Sequence, residues 1–179
     1  HSDVVQTVQR AGTYENCDAL MTNQSDLYLA ITIADCLPIL LYDPATKSIA
    51  AIHSGWRGSK ANIIGRGVAL MKERYQATPD TIVAYIGPSA GVCCYEIGED
   101  VAAEFGHAYI QRGKKPKPYL DLKLVNHDLM LRAGIPDKSI EISEYCTICD
   151  AALFHSFRRD GQRSGRMIAV IGRQSTSFG

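Results

Sequence analysis

Apolar and polar positions change period several times along the chain. "LYLAITIA" (27–34) is rich in Ile, Leu and Thr and predicts a strand. "PILLYD" (38–43) and "SIAAIHS" (48–54) predict two more, and "DPATK" between them, with Pro44 pre-set for the corner, joins them as a hairpin. From Ser59 to Tyr75 the period changes: Ile63, Ile64, Gly67, Val68, Met71 and Tyr75 recur at helical spacing, with Ser59 as N-cap. "TIVAYIG" (81–87) predicts a strand, 88–98 a loop broken by Pro and Gly, and 99–110 a helix with Gly106 as its weak point. A basic, Pro-containing loop (111–120) leads to an amphipathic helix over 121–134, closed by Gly134. "SIEISEY" (139–145) and "RMIAVIGR" (166–173) are strands. Hairpins mixed with helices predict an α+β class, and the absence of repeats or linkers predicts one domain over 1–179.

Composition narrows the function by exclusion. Lys plus Arg and Asp plus Glu number 19 each, so no bulk charge points to nucleic acid or membrane. No apolar run approaches the roughly 20 residues that span a bilayer. Six cysteines (Cys17, Cys36, Cys93, Cys94, Cys146 and Cys149) in a chain of 179 residues exceed what such a core needs as staples. They read as reduced thiols of a cytoplasmic protein. The chain opens on His1 rather than Met, which raises the expectation of a missing N-terminal segment.

Chemistry concentrates at four places. Cys36 follows a buried strand and precedes Pro38. It reads as a buried structural cysteine, a thiolate metal ligand or a nucleophile. His53 ends the next-but-one strand and reads as a satisfied polar group or a ligand. It runs into "SGWRG", where a helix start and Arg57 together suit an anion; Trp56 reads as packing. If the two strands are neighbours, Cys36 and His53 can share one rim of the sheet. "CTIC" (146–149) is the one compact cysteine motif. No His-x-Glu accompanies it, which excludes the nucleobase-deaminase signature and leaves a weak redox reading. "FHSFRRDGQRSGRM" (154–167) gathers Arg158, Arg159, Arg163 and Arg166, either a solvated turn or a second anion-binding group facing Arg57.

"DALMT", "ADCLP", "AIHSGWRG", "IGPSAGVCCYEIG" and "FHSFRRDG…GRM" occur in this order over essentially the whole chain. Together they resemble the family known as polyphenol oxidase, as purine nucleoside phosphorylase/adenosine deaminase, and as peptidoglycan editing factor. Ser2 and Ser54 stand where Gly and Ala are common in that family. The resemblance implies a four-layer α/β/β/α sandwich with mixed and antiparallel sheets, and one zinc ion bound by His1, Cys36 and His53. It implies phosphorolysis of adenosine, inosine, guanosine or methylthioadenosine, and deamination of adenosine. Its partners would be a purine nucleoside and phosphate, in a monomer or small homo-oligomer. Arg57, with Arg158 or Arg159, would hold phosphate; Asp18 and Glu96 are candidates for protonating the leaving base. Three rivals remain. Copper, which outranks zinc in affinity, could support a laccase-like polyphenol oxidase, although five histidines without a His-x-His pair cannot build a multicopper cluster by the usual route. Cys36 and His53 could form a metal-free hydrolase acting on amide or peptidoglycan-precursor substrates. The third rival is a metal-stabilised domain without catalysis.

Overall fold

The computed structural model describes residues 3–113 and 116–175. His1, Lys114 and Lys115 therefore lie outside the described residues. In chain order the elements are β1 (Val5–Thr7), β2 (Ala19–Thr22), β3 (Leu29–Ile33), β4 (Leu37–Asp43), β5 (Ser48–Ser54), α1 (Trp56–Lys60), α2 (Ile63–Tyr75) and β6 (Val83–Ile86). They continue with α3 (Glu99–Ala102), β7 (Ile110–Gln111), β8 (Tyr119–Leu120), α4 (Leu122–Arg132), β9 (Ile140–Ile142), α5 (Phe157–Asp160) and β10 (Met167–Ile171). The class is α+β, as the sequence predicts. A six-stranded mixed sheet runs β1-β2-β5-β4-β6-β9, and β10-β3 and β7-β8 form separate two-stranded sheets.

Strand alternation decides what each face meets. On β5, Ala50 and Ile52 join Leu37, Ile39 and Leu41 of β4 against the helices, in a cluster with Ile63, Ile64, Val68 and Met71. The other face of the same strand, Ile49 and Ala51, packs with Leu29 and Ile31 of β3 and with Ala169 and Ile171 of β10. The stack seen among the described residues is thus helix, large sheet, small sheet. On the far side of the small sheet Ile168 and Val170 remain 65% and 50% exposed.

Two helices depart from expectation. Ser59 does not cap the helix that follows. It lies inside α1, where its hydroxyl donates to the Gly55 carbonyl (3.0 Å) and meets Ser54 and Asn126 in a buried cluster. The chain then breaks at Asn62, whose φ of 57° the residue tolerates and whose side chain caps α2 by accepting from the Gly65 amide (3.0 Å). The helix predicted over 99–110 stops at Ala102. Gly106 opens a short 3-10 turn, and the Asp121 amide donates to the Tyr109 carbonyl (2.8 Å), drawing the next residues into pairing with 119–120. The 121–134 helix forms as predicted, with the Asp121 side chain capping it and Gly134 ending it at φ 95°.

The β4–β5 corner is held by Asp43. Its carboxylate accepts from the Ala45 and Thr46 amides and from the Thr46 and Thr81 hydroxyls, the last at 2.7 Å. Burial pushes this acid up, but the four donors outweigh it and hold its pKa below the ordinary carboxylate value. A group depressed in this way contributes stability above the unfolded-state pKa of about 3.9, and that stability is lost as pH falls through the folded value. Asp43→Ala is expected to lower unfolding free energy at pH 7 by about 2–3 kcal/mol. In urea titrations the gap to the wild type should narrow as pH falls below about 4.

Candidate active site

Strand register brings Asp18, Cys36 and His53 to one rim. Pro38 lies opposite His53 across the β4–β5 ladder, and Ala19 lies opposite Ile52 across β2–β5. Asp18 and Cys36, one residue before β2 and β4 respectively, therefore flank the end of β5 that carries His53. The His53 amide donates to the Asp18 carbonyl (2.7 Å), and its Nδ1 lies 2.9 Å from Asp18 Oδ1. In the small sheet Met167 pairs with Ile33, which sets Arg166 beside Ala34 at the same rim. Thr32, Ile33, Ala34, Cys36, His53, Phe157 and Arg166 line one cleft of about 290 Å³.

Asp35 holds this rim in place. It takes a left-handed backbone conformation, φ 82°, between β3 and β4. Its carboxylate is buried and accepts from the Thr147 hydroxyl (2.7 Å), the Ser156 hydroxyl (3.1 Å) and the Arg158 amide (2.6 Å). Its carbonyl accepts from the Ala90 amide (2.9 Å). One residue thus joins the β3–β4 corner to the 88–98 loop and to the 146–158 segment, and fixes the direction in which Cys36 leaves the corner.

Burial, with the Asp35 and Asp18 carboxylates adding to it, pushes the Cys36 thiol up to about 11. A thiolate there needs a cation beside it. A buried thiol among carboxylates, next to an imidazole whose Nδ1 is held by a carboxylate, is the donor chemistry of a zinc site, and these residues fit such an ion. His1, the third ligand implied by the resemblance, lies outside the described residues.

The cations divide by occupation. The Arg57 guanidinium stacks on the Trp56 ring, 4.2 Å from its centroid. Arg158 lies 5.4 Å from the Tyr95 centroid and donates to the Glu96 carbonyl (2.7 Å). Burial pushes Tyr95 up to about 12; charge on Cys36 and Asp35 adds to the shift while Arg158 and Arg57 oppose it, so this phenol sits in the field of all four. Arg159 spends its donors on the Thr147, Ile148 and Phe154 carbonyls and on the Asp160 carboxylate. Glu96 pairs with Lys117 at 3.2 Å.

The family model described as multi-copper polyphenol oxidoreductase laccase matches residues 1–174. The chain belongs to this family. Among curated proteins it is similar to the purine nucleoside phosphorylase YlmD of Geobacillus stearothermophilus, 38% identical over 88% of this chain and 60% of that protein. It is also similar to the adenosine deaminase RL5 of an unknown prokaryotic organism, 32% identical over 93% of this chain and 66% of that protein. The chain thus spans about three fifths to two thirds of the length of these relatives. Among solved structures, that of the Bacillus licheniformis hypothetical protein YfiH aligns with a TM-score of 0.90 at 34% identity, over 97% of this chain and 72% of that one.

Sequence reasoning singled out Cys36, His53 and Arg57 as candidates, of which the first two line this cleft, and missed the anchoring role of Asp35, the phenol of Tyr95 and the wall formed by Phe157. It also saw only half of a second cluster in this family member. Cys146 and Cys149 of "CTIC" meet Cys93 and Cys94, and the four sulfurs lie within 4.8 Å of one another, an arrangement that can hold a metal ion.

The elevated Cys36 thiol sets a test. With the protein stripped of metal, about one thiol in 10,000 is ionised at pH 7, so peptide-resolved iodoacetamide labelling of Cys36 should be slow and climb with pH toward about 11. A labelling rate already at its plateau near pH 7 would contradict this environment.

Proposed function

We propose that the chain is the catalytic domain of a zinc-dependent purine nucleoside phosphorylase that also deaminates adenosine. The observation that carries this reading is the convergence of Cys36 and the Asp18-held His53 at a cleft walled by Phe157 and Arg166. The names of the relatives supply the reaction class, and the cleft supplies the means. A zinc ion held by Cys36, His53 and His1 would supply Lewis acidity there. Asp18 orients the His53 ring through Nδ1, so that Nε2 is the atom the ring would offer to the ion. Phe157, 44% exposed, gives the purine an aromatic face.

In phosphorolysis a phosphate oxygen bonds to C1′ of the ribose. The C1′–N bond breaks, and its electron pair leaves with the base, which takes up a proton. Arg57 and Arg158 hold the phosphate charge and fix its line of attack, with Trp56 and Tyr95 limiting where the two guanidinium groups can go. Arg159 ties the 146–160 segment together in this reading and takes no part in phosphate binding. In deamination a water oxygen bonds to C6 of the purine and ammonia departs, with no role for Arg57. Six free cysteines suit the reducing setting of the cytoplasm.

The rivals fare less well. A metal-free Cys–His hydrolase needs an accessible thiolate near neutral pH, and Cys36 is held far above that. A multicopper oxidase needs clustered imidazoles, whereas among the described residues the lining of the cleft includes one histidine, His53.

Adenosine incubated with purified, zinc-loaded protein should give adenine only when phosphate is present, and inosine with or without it. No turnover of any nucleoside would overturn the proposal. Cys36→Ala should lower kcat/KM for both reactions by about 10³-fold or more. Arg57→Ala should raise KM for phosphate about 10- to 100-fold and spare deamination; an equal loss of deamination would remove Arg57 from its assigned role. Asp18→Asn should weaken zinc affinity by about 10- to 100-fold, measured by competition with a chelator.

A further inference from the structure

Cys93 and Cys94 lie in the loop that leaves β6, and Cys146 and Cys149 in the turn that follows β9. The two strands are parallel neighbours, so both loops emerge side by side at one end, and Ser89 bridges to Cys146 beyond the strands. This pairing brings four sulfurs together from positions more than fifty residues apart in the chain. We propose that Cys93, Cys94, Cys146 and Cys149 form a second, structural metal site that binds one zinc ion and clamps the loop after β6 to the turn after β9.

The geometry and the chemistry of the donors agree. Tetrahedral zinc with Zn–S bonds of about 2.3 Å separates its sulfurs by about 3.8 Å. Here all four lie within 4.8 Å, with Cys94–Cys149 at 3.2 Å and Cys93–Cys149 at 3.6 Å. Insertion of an ion asks each sulfur to move by roughly an ångström or less. The donor set is entirely soft, which favours zinc over magnesium or calcium. Cys-x-x-Cys supplies two ligands from one turn, and the first of them, Cys146, accepts a hydrogen bond from the Gly91 amide (3.3 Å). The Ile148 and Cys149 amides also point to its sulfur. Amides aimed at sulfur stabilise thiolate ligands, as do cations near the site. Lys123 is such a cation: its ammonium donates to the Ser143 and Tyr145 carbonyls (2.5 and 2.8 Å), at the mouth of the turn. Gly91 leaves the space this requires, because a Cβ there would come within 3.2 Å of both Cys146 Cβ and Cys93 Sγ.

Binding releases four protons from four thiols to solvent and leaves one Zn²⁺ on four thiolates, with no change of oxidation state. The consequence falls on the cleft. The residue after Cys94 is Tyr95, which packs under Arg158, and the residue after Cys146 is Thr147, which donates to Asp35. The clamp thus fixes, from behind, the same loops that Asp35 fixes from the front.

Zinc content can be measured by mass spectrometry on the whole chain and on a Cys36→Ala/His53→Ala variant, which removes two of the ligands proposed for the catalytic ion. That variant should keep about one zinc per chain, and adding Cys146→Ser/Cys149→Ser should bring it to none. Should the quadruple variant fail to fold, cobalt loaded into the Cys36→Ala/His53→Ala protein decides alone. Intense ligand-field and sulfur-to-cobalt charge-transfer bands of a four-thiolate site support the assignment. A Cys36→Ala/His53→Ala protein that holds no zinc and reacts with Ellman's reagent at all remaining thiols would overturn it, as would a Cys94–Cys149 disulfide in the mass spectrum of native protein. Failure of nucleoside turnover, by contrast, leaves this zinc count unchanged, so the two proposals fail separately.

Discussion

A single buried carboxylate organises the molecule's working end. Asp35 sits in a left-handed conformation at the β3–β4 corner and accepts from Thr147, Ser156 and the Arg158 amide. Hydrogen bonds to an ionised, buried acceptor are the strong kind, and leaving such a carboxylate unpartnered is costly. The corner therefore cannot form properly without the 146–158 segment lying against it. Once that segment is in place, Phe157 and Arg166 close one wall of the cleft and Arg158 reaches Tyr95. The strand ladders bring Asp18, Cys36 and His53 to the rim; Asp35 gives the rim something to face.

Local pattern made most elements legible. The hairpin 38–54 appears with the predicted strands because two short runs of mostly apolar residues flank a corner that carries Asp43 and Pro44. The helix start was misassigned because Ser59 looks like a cap, whereas its hydroxyl is drawn inward to Ser54 and Asn126, a partner 67 positions away. The same limit governs the site. Cys36 and His53 were visible as candidates, but whether a hairpin sets two such ends on one rim depends on register, which the ladder supplies. Asp35 looked like a mere neighbour of Cys36, since its partners lie 112 or more positions downstream. Likewise "CTIC" read as a weak redox motif until the parallel β6–β9 pairing placed Cys93 and Cys94 beside it.

The family's oxidase description and the phosphorylase and deaminase names of the relatives call for different donor chemistry. What the fold assembles at its rim is one thiol and an imidazole steadied by Asp18, with the Arg166 side chain lining the same cleft. In the function proposed above, these groups would hold a Lewis acid and an anionic co-substrate.

The dependence of the cleft on Asp35 is open to direct measurement by native-state amide hydrogen exchange. In the wild type the Arg158 amide should be protected well beyond an ordinary loop amide, and in Asp35→Ala protection should collapse across 147–160 while β4 and β5 keep theirs. An Arg158 amide that exchanges at loop rates in the wild type, or a 147–160 segment equally protected without the Asp35 carboxylate, would contradict the arrangement.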